Sequence, residues 1–127
     1  MITVNPASAL GPALESPFAA VNSLGLADLL RSQSISLLVS TYQANRLMAV
    51  RERQGEIWTL LRTFERPMGL ALRDGNQFAL GTRNQIWDFR NAPEVAPQIE
   101  PAGTHDACYV PRASFVTGDI LGHEMTW

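Results

Sequence analysis

The stretch RPMGLALRDGNQFALGTRNQIWDFR, residues 66–90, decides how the chain folds. It holds three short apolar runs, Met68 to Leu72, Phe78 to Leu80 and Ile86 to Arg90, parted by an Asp74-Gly75 turn and by the polar residues Thr82 to Gln85. Asp-Gly is a strong reversal signal, because both residues tolerate the left-handed backbone that a tight hairpin needs. Three such runs with polar breaks predict a three-stranded antiparallel meander.

The residues before it carry the same rhythm. In ISLLVSTYQANRLMAVRERQGEIWTLLRTF, residues 35–64, two apolar runs are joined by Gln43, Ala44 and Asn45, and Gln54-Gly55 leads into a third. Ile57, Thr59 and Leu61 alternate with Trp58, Leu60 and Arg62, the pattern of a strand with both faces partly covered. Ile57, Trp58 and Leu60 stand where the second meander has Ile86, Trp87 and Phe89. Repetition of short antiparallel strands every thirty to forty-five residues or so is the signature of propeller blades. The expected fold class is all-β: a partial β-propeller-like array of short antiparallel meanders, about two blades plus the start of a third, with a short N-terminal helix. The helix is predicted at SLGLADLLRSQS, residues 23–34, from the spacing of Leu26, Leu29 and Leu30. The start of a third blade is read from Ala107 to Val110 and Ser114 to Val116, on either side of Pro111-Arg112. Trp58, Trp87 and Phe89 are expected in the core between blades.

Outside these runs the chain is dominated by proline. Residues 1–22, with Pro6, Pro12 and Pro17, are expected to be a flexible Ala/Pro/Ser-rich arm, and residues 23–127 one propeller-like domain. Asn91 to Gly103, with Pro93, Pro97 and Pro101, reads as an extended connector. Six clear strands do not close a propeller, so the domain is expected to be truncated at its C-terminus.

Composition narrows the function classes. The 127 residues are 46% hydrophobic and 17% charged, with a net charge of −2 and no like-charge block, so neither disorder nor a nucleic-acid footprint is indicated. The single Cys108 rules out a disulfide framework and a CxxC zinc site within the chain. The N-terminus lacks the pattern of a secretory signal, and no apolar run approaches the ~20 residues that cross a bilayer. The expectations are a cytoplasmic protein with a small-molecule or protein partner, no nucleic acid and no membrane.

Candidate chemistry is concentrated between His105 and Trp127. His105 and Asp106 are the catalytic candidates, since an imidazole oriented by a carboxylate acts as a general base near neutral pH. Asp106, Asp119, His123 and Glu124 are the metal candidates, because mixed nitrogen and carboxylate ligands suit a divalent ion such as zinc, manganese or iron. Arg66, Arg83 and Arg112 are the ligand-binding candidates, as guanidinium groups near turns hold anions bidentately. Each has a plainer reading: a capped turn, a hydrogen-bonded loop network, solvated cations. Cys108 beside His105 reads as a nucleophile or, more simply, as a small buried hydrophobe. His123-Glu124 lacks the second histidine of a zinc-protease helix.

At RPMGLAL, ALGTRNQIWDFRN, HDACYVPR and TGDILGHEM the chain resembles a bacterial family, domain of unknown function four-nine-one-five, over about Ser36 to Trp127. The resemblance implies a longer, propeller-like protein of which this is the N-terminal part, and it brings no established activity. Three readings of function stay open: a ligand- or protein-binding propeller fragment, a metal-dependent hydrolase or lactonase-like enzyme with a metal near His105, Asp106, Asp119 and His123, and a truncated reading frame without function. A partial array leaves a sheet edge and an apolar face uncovered, which templates self-association. Purified protein is therefore expected to elute from a sizing column as an oligomer or aggregate and to melt with poor cooperativity; a clean monomer with a sharp two-state melt would contradict this.

Overall fold

The computed structural model describes residues 21–127, so most of the proline-rich arm lies outside the described residues; Val21 and Asn22, at its end, are exposed. The elements run α1 (Leu26–Gln33), β1 (Leu37–Thr41), β2 (Arg46–Arg53), β3 (Glu56–Thr63), β4 (Leu70–Arg73), β5 (Gln77–Gly81), β6 (Gln85–Asn91) and β7 (Tyr109–Val116). They make two antiparallel sheets, β1-β2-β3 and β4-β5-β6-β7. The six strands expected between Ile35 and Arg90 are all present, and Trp58 and Trp87 each fall third in the last strand of their meander.

The turns form where the sequence supplies residues for them. Gln54 and Gly55 have φ of 55° and 85°, and Asp74 and Gly75 have 51° and 66°, so both central residues of each reversal are left-handed. That backbone twist matches the right-handed twist of the flanking strands. Asn45, at φ 54°, ends the β1–β2 loop; its carbonyl accepts from Phe64 N at 3.1 Å and its side-chain oxygen from Arg66 N at 2.8 Å. One asparagine thereby fixes where the chain leaves the first sheet for the second. The helix closes at Ser34, also left-handed (φ 52°), with Ile35 N–H donating to Leu30 O at 3.1 Å.

The core is the seam between the sheets. Leu47 from β2 meets Phe78, Leu80 and Phe89 from the second sheet, with Leu38, Phe64, Leu70, Trp87 and Tyr109 packed around them. Phe78 and Phe89 stack at 4.5 Å between centroids, and Phe64 meets the edges of Trp87 at 5.7 Å and Phe89 at 6.0 Å. Val50, of opposite parity to Leu47, is also buried, and α1 lies against β2 and β3 with its own Ala27 and Leu30 buried. β2 is thus covered on both faces, as the uninterrupted apolar run Leu47 to Val50 requires. Trp58 departs from expectation: it is outside this core, and the Arg53 guanidinium sits 4.9 Å from its ring centroid.

The C-terminal half differs from the expected start of a third blade. Residues 109–116 form one strand through Pro111-Arg112, and that strand joins β6 as the fourth of the second sheet. A proline is tolerated there because β7 is an edge strand, and its pairing shifts register at Asp88/Phe89, opposite Pro111. The connector is not wholly extended either, since Ala96–Gln98 make a 3-10 turn with Ala96 buried. By returning the chain beside β6, the connector carries His105 and Asp106 into the turn that precedes β7.

The seam sets the expected energetics. Leu80 is 0% exposed, whereas Leu72, on the neighbouring strand, is 63% exposed. Leu80→Ala is expected to cost about 2–5 kcal/mol in urea unfolding, and Leu72→Ala within about 0.5 kcal/mol; equal costs would show that the core lies elsewhere.

Candidate functional site

The sequence candidates separate to opposite ends of the sheets. At one end the chain leaves β3, enters β4, turns between β5 and β6 and runs out of β7. Arg83, in the β5–β6 turn, donates to Glu65 Oε1 at 3.0 Å and through Nε to Asp119 Oδ2 at 3.1 Å. Its backbone N–H also donates to Glu65 O at 3.0 Å. These contacts, that with Glu65 foremost, hold the guanidinium above its ordinary pKa. Arg83 therefore ties the connector between the sheets to the segment after β7, and its charge is already matched.

That segment then seats itself on two glycines. Gly69 N–H donates to Gly122 O at 3.2 Å. A Cβ on Gly69 would come within 2.8 Å of Met125 Cγ and 3.2 Å of Gly122 O, and one on Gly81 within 3.2 Å of Met125 Sδ. The bare glycine surface is the notch that admits the methionine. Trp127 follows, its ring centroid 5.6 Å from the Arg73 guanidinium. The motifs RPMG, LGTR, TGD and GHEM, scattered in sequence, are neighbours here.

At the other end, beyond the full length of β7 and so ~23 Å along that strand, His105 and Asp106 face the end of β2. With Leu30, Arg31, Ser34, Ile35, Ser36, Arg51, Glu52, Gly103 and Thr104 they line an open groove of about 460 Å³ between α1, β2 and the turn at 103–106. Arg51 Nη1 donates to His105 Nδ1 at 3.0 Å. A guanidinium has no acceptor, so Nδ1 must be the lone-pair nitrogen and the imidazole proton sits on Nε2. Nε2 is buried and has no hydrogen-bond partner among the described residues. An unmet buried donor costs about 1–3 kcal/mol. Burial lowers the pKa of Arg51, with Arg53 adding to the effect and Asp106 opposing it. Burial raises that of Tyr109, helped by Asp106; the Tyr109 hydroxyl donates to Gly75 O and pins β7 to the β4–β5 turn.

The charges lining the groove differ in how they are engaged. Arg31 is paired with Asp28 on its own helix, and Glu52 Oε1 accepts from Gly55 N at 2.6 Å. Arg51 makes no ion pair among the described residues, and Asp106 neither an ion pair nor a hydrogen bond.

The structure does not bring the predicted metal set together. Asp119 is held by Arg83, His123 and Glu124 are exposed beside Gly69, and Asp106 is at the opposite end. Among the described residues no three His, Cys, Asp or Glu side chains are placed to share an ion. Of the predicted arginines, Arg66 lies 5.6 Å from the Tyr42 ring centroid, Arg83 is doubly paired and Arg112 is exposed on β7. They do not converge. Cys108 is half-buried, with its backbone N–H donating to Asn91 Oδ1 at 3.0 Å. Arg51 escaped the sequence reading because Arg51-Glu52-Arg53 looks like a solvated strand end. Its parity with Leu47 was the available signal, since residues i, i+2 and i+4 of a strand share a face.

The geometry thus defines an all-β domain of two antiparallel sheets with a polar groove at one end and a tied-down C-terminal segment at the other. Residues 24–127 match the family described as Domain of unknown function (DUF4915), and the chain belongs to that family. No curated protein and no solved structure matches it. Among the described residues no helix is long and apolar enough to cross a membrane.

Two outcomes follow from the geometry of the two ends. Gly69→Ala is expected to unseat Met125, moving its methyl NMR signal toward that of a solvated methionine; an unshifted methyl would mean that the notch does not hold it. Nitrogen-15 NMR of the His105 ring at neutral pH is expected to show the Nε2–H tautomer, and Arg51→Ala to abolish that preference. A dominant Nδ1–H form in the unsubstituted protein would contradict the Arg51 contact.

Proposed function

We propose that this domain is a ligand-binding module that takes a small polar molecule in the groove between α1, β2 and residues 103–106. The observation that carries the reading is the pair of opposite charges, Arg51 and Asp106, that line the groove and make no ion pair among the described residues. A polar guest supplies the complement to such charges through charge-assisted hydrogen bonds. Ser34, Ser36 and Thr104 add hydroxyls to the same wall, so the groove is chemically suited to a polar guest. Binding is favoured over the metal-dependent hydrolase because the candidate ligands for a metal are divided between the two ends of the sheets. The fixed tautomer also leaves the accessible lone pair of His105 engaged by Arg51, which removes the base that hydrolysis would use. The lone, half-buried cysteine fits the reducing compartment of the cytoplasm. Phe115, 58% exposed, and Val116, 80% exposed, support self-association of the isolated chain.

Screening the protein by NMR against small polar fragments, including carboxylates, amino acids, sugars and nucleosides, tests the reading. The expected result is a set of hits whose shifts centre on Arg51, Thr104, His105 and Asp106 and vanish in His105→Ala, while that variant keeps its fold and melting temperature. Hits that centre on His123 and Glu124, or a complete absence of hits, would defeat it.

A further inference from the structure

The groove also carries information about the charge of its guest. Four ionic side chains line it, and two are internally engaged: Arg31 by Asp28, and Glu52 by the Gly55 N–H. The two that remain have opposite signs. The hydrogen bond of Arg51 goes to a neutral imidazole, His105 Nδ1, rather than to a carboxylate. Asp106 has no hydrogen-bond or ion-pair partner among the described residues, although it is next in sequence to His105 and electrostatically coupled to Arg51. One wall therefore presents, side by side, a cation and an anion that make no ion pair with each other.

We infer that the ligand is a zwitterion carrying both an amine and a carboxylate, an amino-acid-like molecule, with its carboxylate at Arg51 and its ammonium at Asp106. This rests on the groove being the binding site. A simple anion would satisfy Arg51 but would be repelled by Asp106, and a simple cation would meet the converse conflict with Arg51. A guest with both charges makes both contacts, and each is a charge-assisted hydrogen bond, the stronger kind. Opposed charges in one site also reject either half-ligand, which is how a site gains specificity from repulsion as well as attraction.

The test titrates the full chain with glycine, γ-aminobutyrate, acetate and methylammonium, following the ring nitrogens of His105 and the side-chain carboxyl of Asp106 by NMR. The two amino acids differ in the spacing of their charges. The expected result is saturable binding of at least one of them, at least about tenfold tighter than acetate or methylammonium, with both His105 and Asp106 shifting. Asp106→Asn is expected to weaken the amino acid about tenfold or more while leaving acetate unchanged or tighter. Acetate binding as tightly as the amino acids would overturn the zwitterion while leaving the groove as a site. So would silence from all four probes when a sugar or nucleoside moves His105. If no compound of any class moves His105, the groove reading falls too.

Discussion

Everything in this domain hangs on the apolar seam in which Leu47 of the first sheet is locked against Phe78, Leu80 and Phe89 of the second. The first sheet has little buried surface of its own. Of the first sheet only Leu47 and Val50 are buried among its apolar residues, and Leu47 owes its burial to the other sheet. Once the seam forms, the two sheets are held face to face with fixed ends. The hairpin turns then have only two places to go: the end where Asn45, Glu65 and Arg83 meet, and the end where Arg51 meets His105. The site is a consequence of that stacking, because Arg51 of the first sheet finds its side-chain partner, His105, on the turn that leads into the second.

Much of the fold was legible because the information for it is local. Alternation of apolar residues gives strands, and Gln54-Gly55 and Asp74-Gly75 give left-handed reversals whatever the rest of the chain does. The six strands and the short helix follow from such signals. β7 was harder. Pro111 interrupts its run, and what makes it one strand is a register shift opposite, at Asp88/Phe89, a relation between residues more than twenty apart in sequence. Trp58 misled for a related reason, since its equivalence with Trp87 in sequence position does not carry equivalence of environment: Trp87 faces the seam, and Trp58 faces Arg53.

The candidate site was half legible. His105 and Asp106 could be singled out by residue type, but their distance from Asp119 and His123 depends on what lies between them. Asp119 follows His105 by fourteen positions, close enough in sequence to imply a common loop face; eight of the intervening residues are extended in β7 and carry them to opposite ends. Density of reactive residues along a chain is a poor guide to density in space when a strand runs through it. The motifs around Arg83 show the converse. Arg66, Gly69, Gly81, Asp119, Gly122 and Met125 are spread over sixty residues, yet glycine at 69 and 81 makes sense only when the tail lies across them. Those glycines look like turn residues in sequence, and neither has a left-handed backbone.

The Arg51–His105 contact is the arrangement least expected if this end of the domain served stability alone. Asp106 is adjacent, and an Arg51–Asp106 ion pair would match both charges with a geometry guanidinium and carboxylate favour. Instead the fold sets Arg51 against a neutral ring, leaves Asp106 unpaired, and accepts a buried donor with no acceptor. An exposed ion pair would contribute little, typically below about 1 kcal/mol, so its absence alone decides nothing. The unmet Nε2 is different in kind, because its cost, about 1–3 kcal/mol, falls on the buried state and is relieved only by an acceptor. Two opposite charges left without an ion pair in one groove, while Arg83 at the opposite end is matched twice over, is the asymmetry that separates a binding surface from a structural tie.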